Sequence, residues 1–115
     1  MKVIIAGGRD FDSFYDADEF FSRCFFDREI TEVISGGARG ADKIGEDIAS
    51  SYYIDTKIFP AKWDEHGKAA GYIRNKEMAE YANALLAFWD GKSKGTKHMI
   101  DLALKHKLET HIYFY

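Results

Sequence analysis

Short apolar runs and helix-period stripes take turns along this chain, and that order leaves few folds open. The runs are Lys2–Ala6, Glu32–Ser35, Thr56–Pro60, Ala84–Trp89 and Thr110–Phe114, each of strand length. After the first, Ala17, Phe20, Phe21, Cys24 and Phe25 recur at helical spacing, and Ser13-x-x-Asp16 ahead of them reads as a capping box. Ala41, Ile44, Gly45, Ile48, Ala49 and Tyr52 repeat the stripe after the second run, as do Thr96, Met99, Ile100, Ala103 and Leu104 after the fourth. The stretch from Gly67 to Asn83 is less regular. Its stripe runs through Ala70, Met78 and Tyr81, and helical geometry sets Arg74 in the middle of it.

Strands alternating with helices imply a parallel sheet covered on both faces. The expectation is an α/β protein: a single Rossmann-like three-layer domain over residues 1–115, with a five-stranded parallel sheet in the order 3-2-1-4-5 and four helices. With 115 residues, 46% of them hydrophobic, the chain can bury one core. Strands 1 and 4 then flank the topological switch point, where such sheets bind ligands.

Charge and cysteine content narrow the function classes. A net charge of −3 argues against a general grip on nucleic acid and restricts any anion site to a local patch. Cys24 is the single cysteine, lying on the first helical stripe as a structural thiol, so an intramolecular disulfide and a cysteine-rich zinc site are both excluded. The histidines His98, His106 and His111 show no metal-ligand spacing, and no metal is expected. The opening run "VIIA" is too short for a signal peptide or a membrane span, which gives the expectation of a soluble, cytoplasmic protein with no membrane partner.

The loops at the carboxyl ends of the strands converge on one rim, and they are polar and glycine-bearing. Gly7, Gly8, Arg9 and Asp10 follow strand 1; Gly36, Gly37, Arg39, Gly40 and Asp42 follow strand 2; Trp63 and His66 follow strand 3; Asp90, Gly91, Ser93, Gly95 and Thr96 follow strand 4. The stretch "VISGGARGAD" looks like half of a phosphate site, because glycines let backbone approach a ligand and helix N-termini offer unpaired amides. "GKSKGT" is the other candidate anion loop, with a plain strand-to-helix turn as its alternative. Neither matches a Walker loop or G-x-G-x-x-G, so no dinucleotide cofactor of the dehydrogenase kind is expected. Arg74 on an apolar stripe needs an acceptor: either a bound phosphate or carboxylate, or an ion pair with Asp10, Asp42 or Asp90. Arg9 and Arg39 carry the same choice, with the adjacent Asp10 and Asp42 as the ion-pair partners. Trp63, Trp89 and Tyr72 are candidates to stack on a base, the two tryptophans better placed because they adjoin loops, while His66 is either an acid–base group or a helix-start residue.

"AGGRDF", "SGGARGAD", "FPAKWDEHGKAAGYIRNKEM" and "AFWDGKSKGT", in this order over nearly the whole chain, resemble the YspA-type branch of the SLOG superfamily. This superfamily also includes cytokinin-activating phosphoribohydrolases and the DNA-processing protein DprA. The resemblance implies a Rossmann-like fold and a nucleotide or ADP-ribose-like ligand at the strand-end rim, and it adds Ser35 and Asn75 to the candidate ligand-binding residues. Arg74 and Met78 match the arginine and methionine of the phosphoribohydrolases' third helix, Asn75 stands where they have lysine, and Gly95 and Thr96 match their phosphate-binding Gly-Thr. Met99 stands where they carry a catalytic glutamate, and a thioether neither activates water nor stabilises an oxocarbenium-like centre.

The first reading is therefore a sensor or sequestering protein that binds a phosphorylated nucleoside-type ligand without catalysis. An N-glycosidase using an aspartate stays open as the alternative, with no catalytic residue assigned. Single-stranded DNA binding is a third reading, disfavoured by the overall acidity. The aromatic edge "HIYFY" adds the expectation of a homo-oligomer.

Overall fold

The computed structural model describes all residues from Met1 to Tyr115. Five parallel strands, β1 (Lys2–Gly7), β2 (Glu32–Ser35), β3 (Asp55–Ile58), β4 (Ala84–Trp89) and β5 (Glu109–Phe114), form one sheet in the order β3-β2-β1-β4-β5. Four helices of 11 or 12 residues cover it: α1 (Phe14–Phe25), α2 (Ala41–Ser51), α4 (Ala70–Tyr81) and α5 (Lys94–Lys105). A single turn, α3 (Trp63–His66), precedes α4. Architecture, strand order and the four helices all agree with the alternation in the sequence.

Side-chain alternation along the strands makes the layers. Val3 and Ile5 of β1 join Ala84, Leu86 and Phe88 of β4 in a core with the apolar faces of α1 and α2. Ile4 and Ala6, with Leu85 and Ala87, point the other way into a second core with Met78 of α4 and Met99, Ile100 and Ala103 of α5. Register fixes this arrangement: Val3 lies opposite both Val33 and Ala84. Gly45 of α2 lets the helix settle on the sheet, since a Cβ there would meet the Ile5 Cβ at 2.7 Å.

Three local expectations need correction. The helical stretch from Gly67 to Asn83 is divided: α3 closes at Gly67, whose φ of 55° suits glycine, a 3-10 turn covers Gly67–Ala69, and α4 starts only at Ala70. Strand β3 is not apolar and covered, because all four of its residues are exposed at the sheet edge, where it pairs only with β2. The capping box at Ser13 forms by half. The Ser13 hydroxyl accepts the Asp16 amide at 3.2 Å, but Asp16, a methylene shorter than glutamate, makes no return bond. Cys24 packs partly buried against the α1–α2 core, and burial raises its thiol pKa.

Candidate functional site

A cavity of about 580 Å³ opens at the carboxyl ends of β1 and β4, the switch point of the sheet. Gly7, Gly8, Arg9 and Asp10 line it from the β1 loop; Ala38, Arg39 and Asp42 from the start of α2. Trp63, Arg74 and Asn75 close one wall, and Asp90, Ser93, Gly95 and Thr96 the other. Met78 and Met99, each 1% exposed, take part in the lining while belonging to the second core.

The three arginines at this rim form no ion pair. Arg74 does find acceptors, but they differ from the carboxylates considered above: Nη1 donates to the Gly36 carbonyl at 2.7 Å and Nε to Asn75 Oδ1 at 3.0 Å. Its remaining N–H groups have no acceptor in the chain. Gly36 leaves room for this contact, since a Cβ there would lie 2.4 Å from Arg74 Nη1 and 2.8 Å from Asp42 Oδ2 and would push both side-chain ends aside. Asn75 is 7% exposed and ties α4 to α5, with its Nδ2 3.5 Å from the Gly95 carbonyl and 3.2 Å from His98 Nδ1. Burial lowers the His98 pKa, and because the Asn75 Nδ2 amide can only donate, Nδ1 is the acceptor in this contact.

The chain satisfies part of the loop "SGGARGAD". The Gly37 amide donates to Ser35 Oγ, the Ala38 amide to Asp42 Oδ2 and the Ala41 amide to the Gly8 carbonyl. The amides of Arg39, Gly40, Asp42 and Lys43 have no acceptor in the chain. The loop also supplies Arg39 and Asp42, held against the β1 loop by Gly40, whose Cβ position would be 2.4 Å from the Gly8 carbonyl oxygen. The start of α5 offers open amides as well. There Ser93 Oγ accepts the Thr96 amide at 3.4 Å, leaving the first-turn amides of Lys94 and Gly95 for another acceptor.

The aspartates differ in role. Asp90 Oδ1 accepts the Lys92 and Ser93 amides, both at 2.8 Å, which fixes the β4–α5 loop and lowers its pKa. Asp10 accepts the Tyr115 hydroxyl at 2.5 Å, and burial together with Asp10 pushes that phenol well above its ordinary value. Asp42 is 6% exposed, and burial raises its carboxyl to about 6 against the help of the Ala38 amide, Arg74 and Arg9. Between the ordinary 3.8 and about 6 the folded chain holds a proton that the unfolded chain has released, so stability falls as pH rises through that window. Asp42→Asn should therefore raise stability at pH 7.5 by about 1–3 kcal/mol and leave it unchanged near pH 3.5, read by denaturant unfolding at both pH values. Equal effects at the two pH values would contradict the buried charge.

Not every expected residue faces this cavity. Ser35 is fully buried, donating to Glu46 Oε2 at 2.8 Å. Gly40 is spent on packing, and Gly91, at φ 81°, makes the turn after Asp90. Gly36 and Gly37 line a neighbouring cavity. His66 ends α3 and stands at the N-terminus of the 3-10 turn, and it lies 3.7 Å from Glu65 outside the cavity lining. Trp89 is also withdrawn, its Nε1 donating to the Ser93 carbonyl at 3.1 Å. Conversely, Lys68 lines the cavity from the 3-10 turn that the helical reading of 67–83 concealed, while Gly71 and the stacking candidate Tyr72 line it from the first turn of α4. No three His, Cys, Asp or Glu side chains group so as to hold a metal ion.

No helix is long and apolar enough to cross a membrane. No protein-family model matches the chain, and no solved structure matches it. The chain is similar to the Gene 61 protein of Mycobacterium phage D29, with 40% identity over 79 residues that cover 64% of this chain and 63% of the phage protein. The match thus spans less than two thirds of that relative.

Proposed function

We propose that the chain binds a phosphorylated nucleoside-type ligand, a nucleotide or an ADP-ribose-like molecule, in the switch-point cavity, and acts as a sensor or sequestering protein. The observation that carries this reading is the trio Arg9, Arg39 and Arg74, unpaired with any carboxylate around one concave site. Guanidinium groups bind phosphate bidentately, and the open amides at the start of α5 add to the pull on an anion. Trp63, 53% exposed, and Tyr72 offer aromatic surface to a base. The resemblance to the SLOG superfamily supports the same ligand class. A cytoplasmic location suits a binder of such nucleotides, and the edge strand β5, with Phe114 63% exposed, supports self-association.

Incubation with AMP, ADP-ribose, NAD, cyclic ADP-ribose isomers and cyclic dinucleotides, followed by mass spectrometry of heat-released ligand, tests the reading. One compound recovered intact supports binding; no compound retained refutes it. A second reading, cleavage of an N-glycosidic bond, rests on Asp42, a protonatable carboxyl beside Arg74 in the same cavity. Free base and ribose phosphate in the filtrate would select it.

Gly95→Val should weaken binding tenfold or more while the fold stays cooperative. A Cβ at Gly95 meets nothing within 4 Å in the protein, and valine suits a helix better than glycine, so the new bulk burdens only the ligand. Unchanged affinity, measured by calorimetric titration, would reduce the β4–α5 loop to a connection.

A further inference from the structure

Strand β3 is exposed along its whole length and pairs on one side only, with β2. Just past its end, Phe59 donates its amide inward to the Ser35 carbonyl at 2.8 Å. Backbone groups alternate sides along a strand, so the amides and carbonyls of Thr56 and Ile58 point outward as a template for another strand. Side chains alternate as well. Ile54, Thr56 and Ile58 share the face toward α2, where Ile54 packs against the first core. Asp55 and Lys57 share the other face, where Lys57 Nζ lies 4.5 Å from the centre of the Tyr81 ring of α4. Neither Asp55 nor Lys57 has an ion-pair partner in the chain.

A lone lysine blunts a sheet edge, but here the charges are arranged symmetrically: read outward from Thr56, the stretch Ile54-Asp55-Thr56-Lys57-Ile58 is complementary to its own reverse. We infer that β3 pairs with β3 of a second copy of this chain, antiparallel, about a twofold axis at Thr56. In that register Asp55 lies opposite the partner's Lys57, and Ile54 opposite the partner's Ile58, and the axis repeats each contact. Moving the axis by one residue either way would set Asp55 or Lys57 against its own copy, a like-charge pair. Backbone geometry selects the same register. Thr56, with its groups outward, exchanges both N–H···O bonds with the partner's Thr56, while Asp55 and Lys57 fall at the positions between bonds, where side chains approach most closely. The Ile54 amide is held by the Ala49 carbonyl, so the outer positions add one bond per copy, from the Ile58 amide to the partner's Ile54 carbonyl. The strands of the two copies run in opposite directions, so the two switch-point cavities face opposite ends of the dimer and both stay open. This edge is separate from β5, at the far side of the sheet.

Sedimentation equilibrium from micromolar to millimolar concentration tests the pairing with the wild type, Asp55→Lys, Lys57→Asp and an equimolar mixture of the two variants. Both positions are exposed, so neither change touches the cores, and urea unfolding checks that each variant is folded. The wild type should show a monomer–dimer equilibrium. Each variant alone places like charges opposite at both pairs and should dimerise about tenfold more weakly or worse. The mixture restores opposite charges at both pairs and should dimerise within about threefold of the wild type. A wild type that stays monomeric, variants that dimerise as well as the wild type, or a mixture no better than its components each overturn the pairing at β3.

Discussion

Arg74→Ala is expected to weaken binding of ADP-ribose by about 10–150-fold, the equivalent of removing charge-assisted bonds of about 1.5–3 kcal/mol. The effect is large because the guanidinium is already in place. Gly36 and Asn75 fix two of its N–H groups, and burial, opposed by Asp42 and reinforced by Arg9, lowers its pKa from the ordinary value, which marks a site where positive charge is poorly solvated. A bound diphosphate supplies the solvation that water does not. Arg74→Lys should fall between, since it keeps the charge and loses the fork. Lys92→Ala should change affinity less than threefold, because Lys92 is exposed and outside the cavity lining. Titration of the three variants decides the matter. Equal losses for Arg74→Ala and Lys92→Ala would remove Arg74 from the binding surface.

Phe88→Ala should cost about 3–5 kcal/mol of stability, a large share of the total for a domain of this size. Phe88 is fully buried on β4 and stacks on Phe11 with ring centroids 4.5 Å apart, while Phe20 and Tyr113 crowd its other faces. Its removal leaves a hole bounded by α1, β5 and the β1 loop, which cannot all close in together. The loss should reach the site as well, because the Phe88 carbonyl accepts the Gly8 amide at 3.1 Å and Gly7 packs against the Phe88 Cβ. Urea unfolding measures the first effect. A loss below about 1 kcal/mol would mean that the aromatic cluster repacks freely, contrary to the geometry above.

How far these features could be read in advance depends on whether local pattern or tertiary contact decides them. Strand order and layers were legible because β1 and β4 are apolar on both faces and helices α1, α2 and α5 carry regular stripes. The stripe around Arg74 rightly marked a cation in need of an acceptor. Its partner was beyond sequence pattern, since the Gly36 carbonyl lies 38 residues away and a backbone group leaves no signature. In the loop "SGGARGAD" glycine content signals tight backbone approach, and part of that approach is to the β1 loop and to Arg74, contacts that leave no local pattern. Lys68 escaped notice because Gly67 breaks the helix and re-aims the following turn, a choice made by one φ angle. Asn75 entered only through the family resemblance; its burial and its bonds to Arg74 and His98 give that position a physical reason.

Amide shift mapping with ADP-ribose tests the central claim most directly, and a chain of 13.1 kDa suits it. The account predicts saturable shifts at Gly8–Asp10, Ala38–Arg39 and Gly95–Thr96 together with the Arg74 Nε–H resonance, and quiet signals at the opposite rim, Asp27–Thr31 and Lys107–Glu109. Shifts centred on that opposite rim, or none at millimolar ligand, would contradict it.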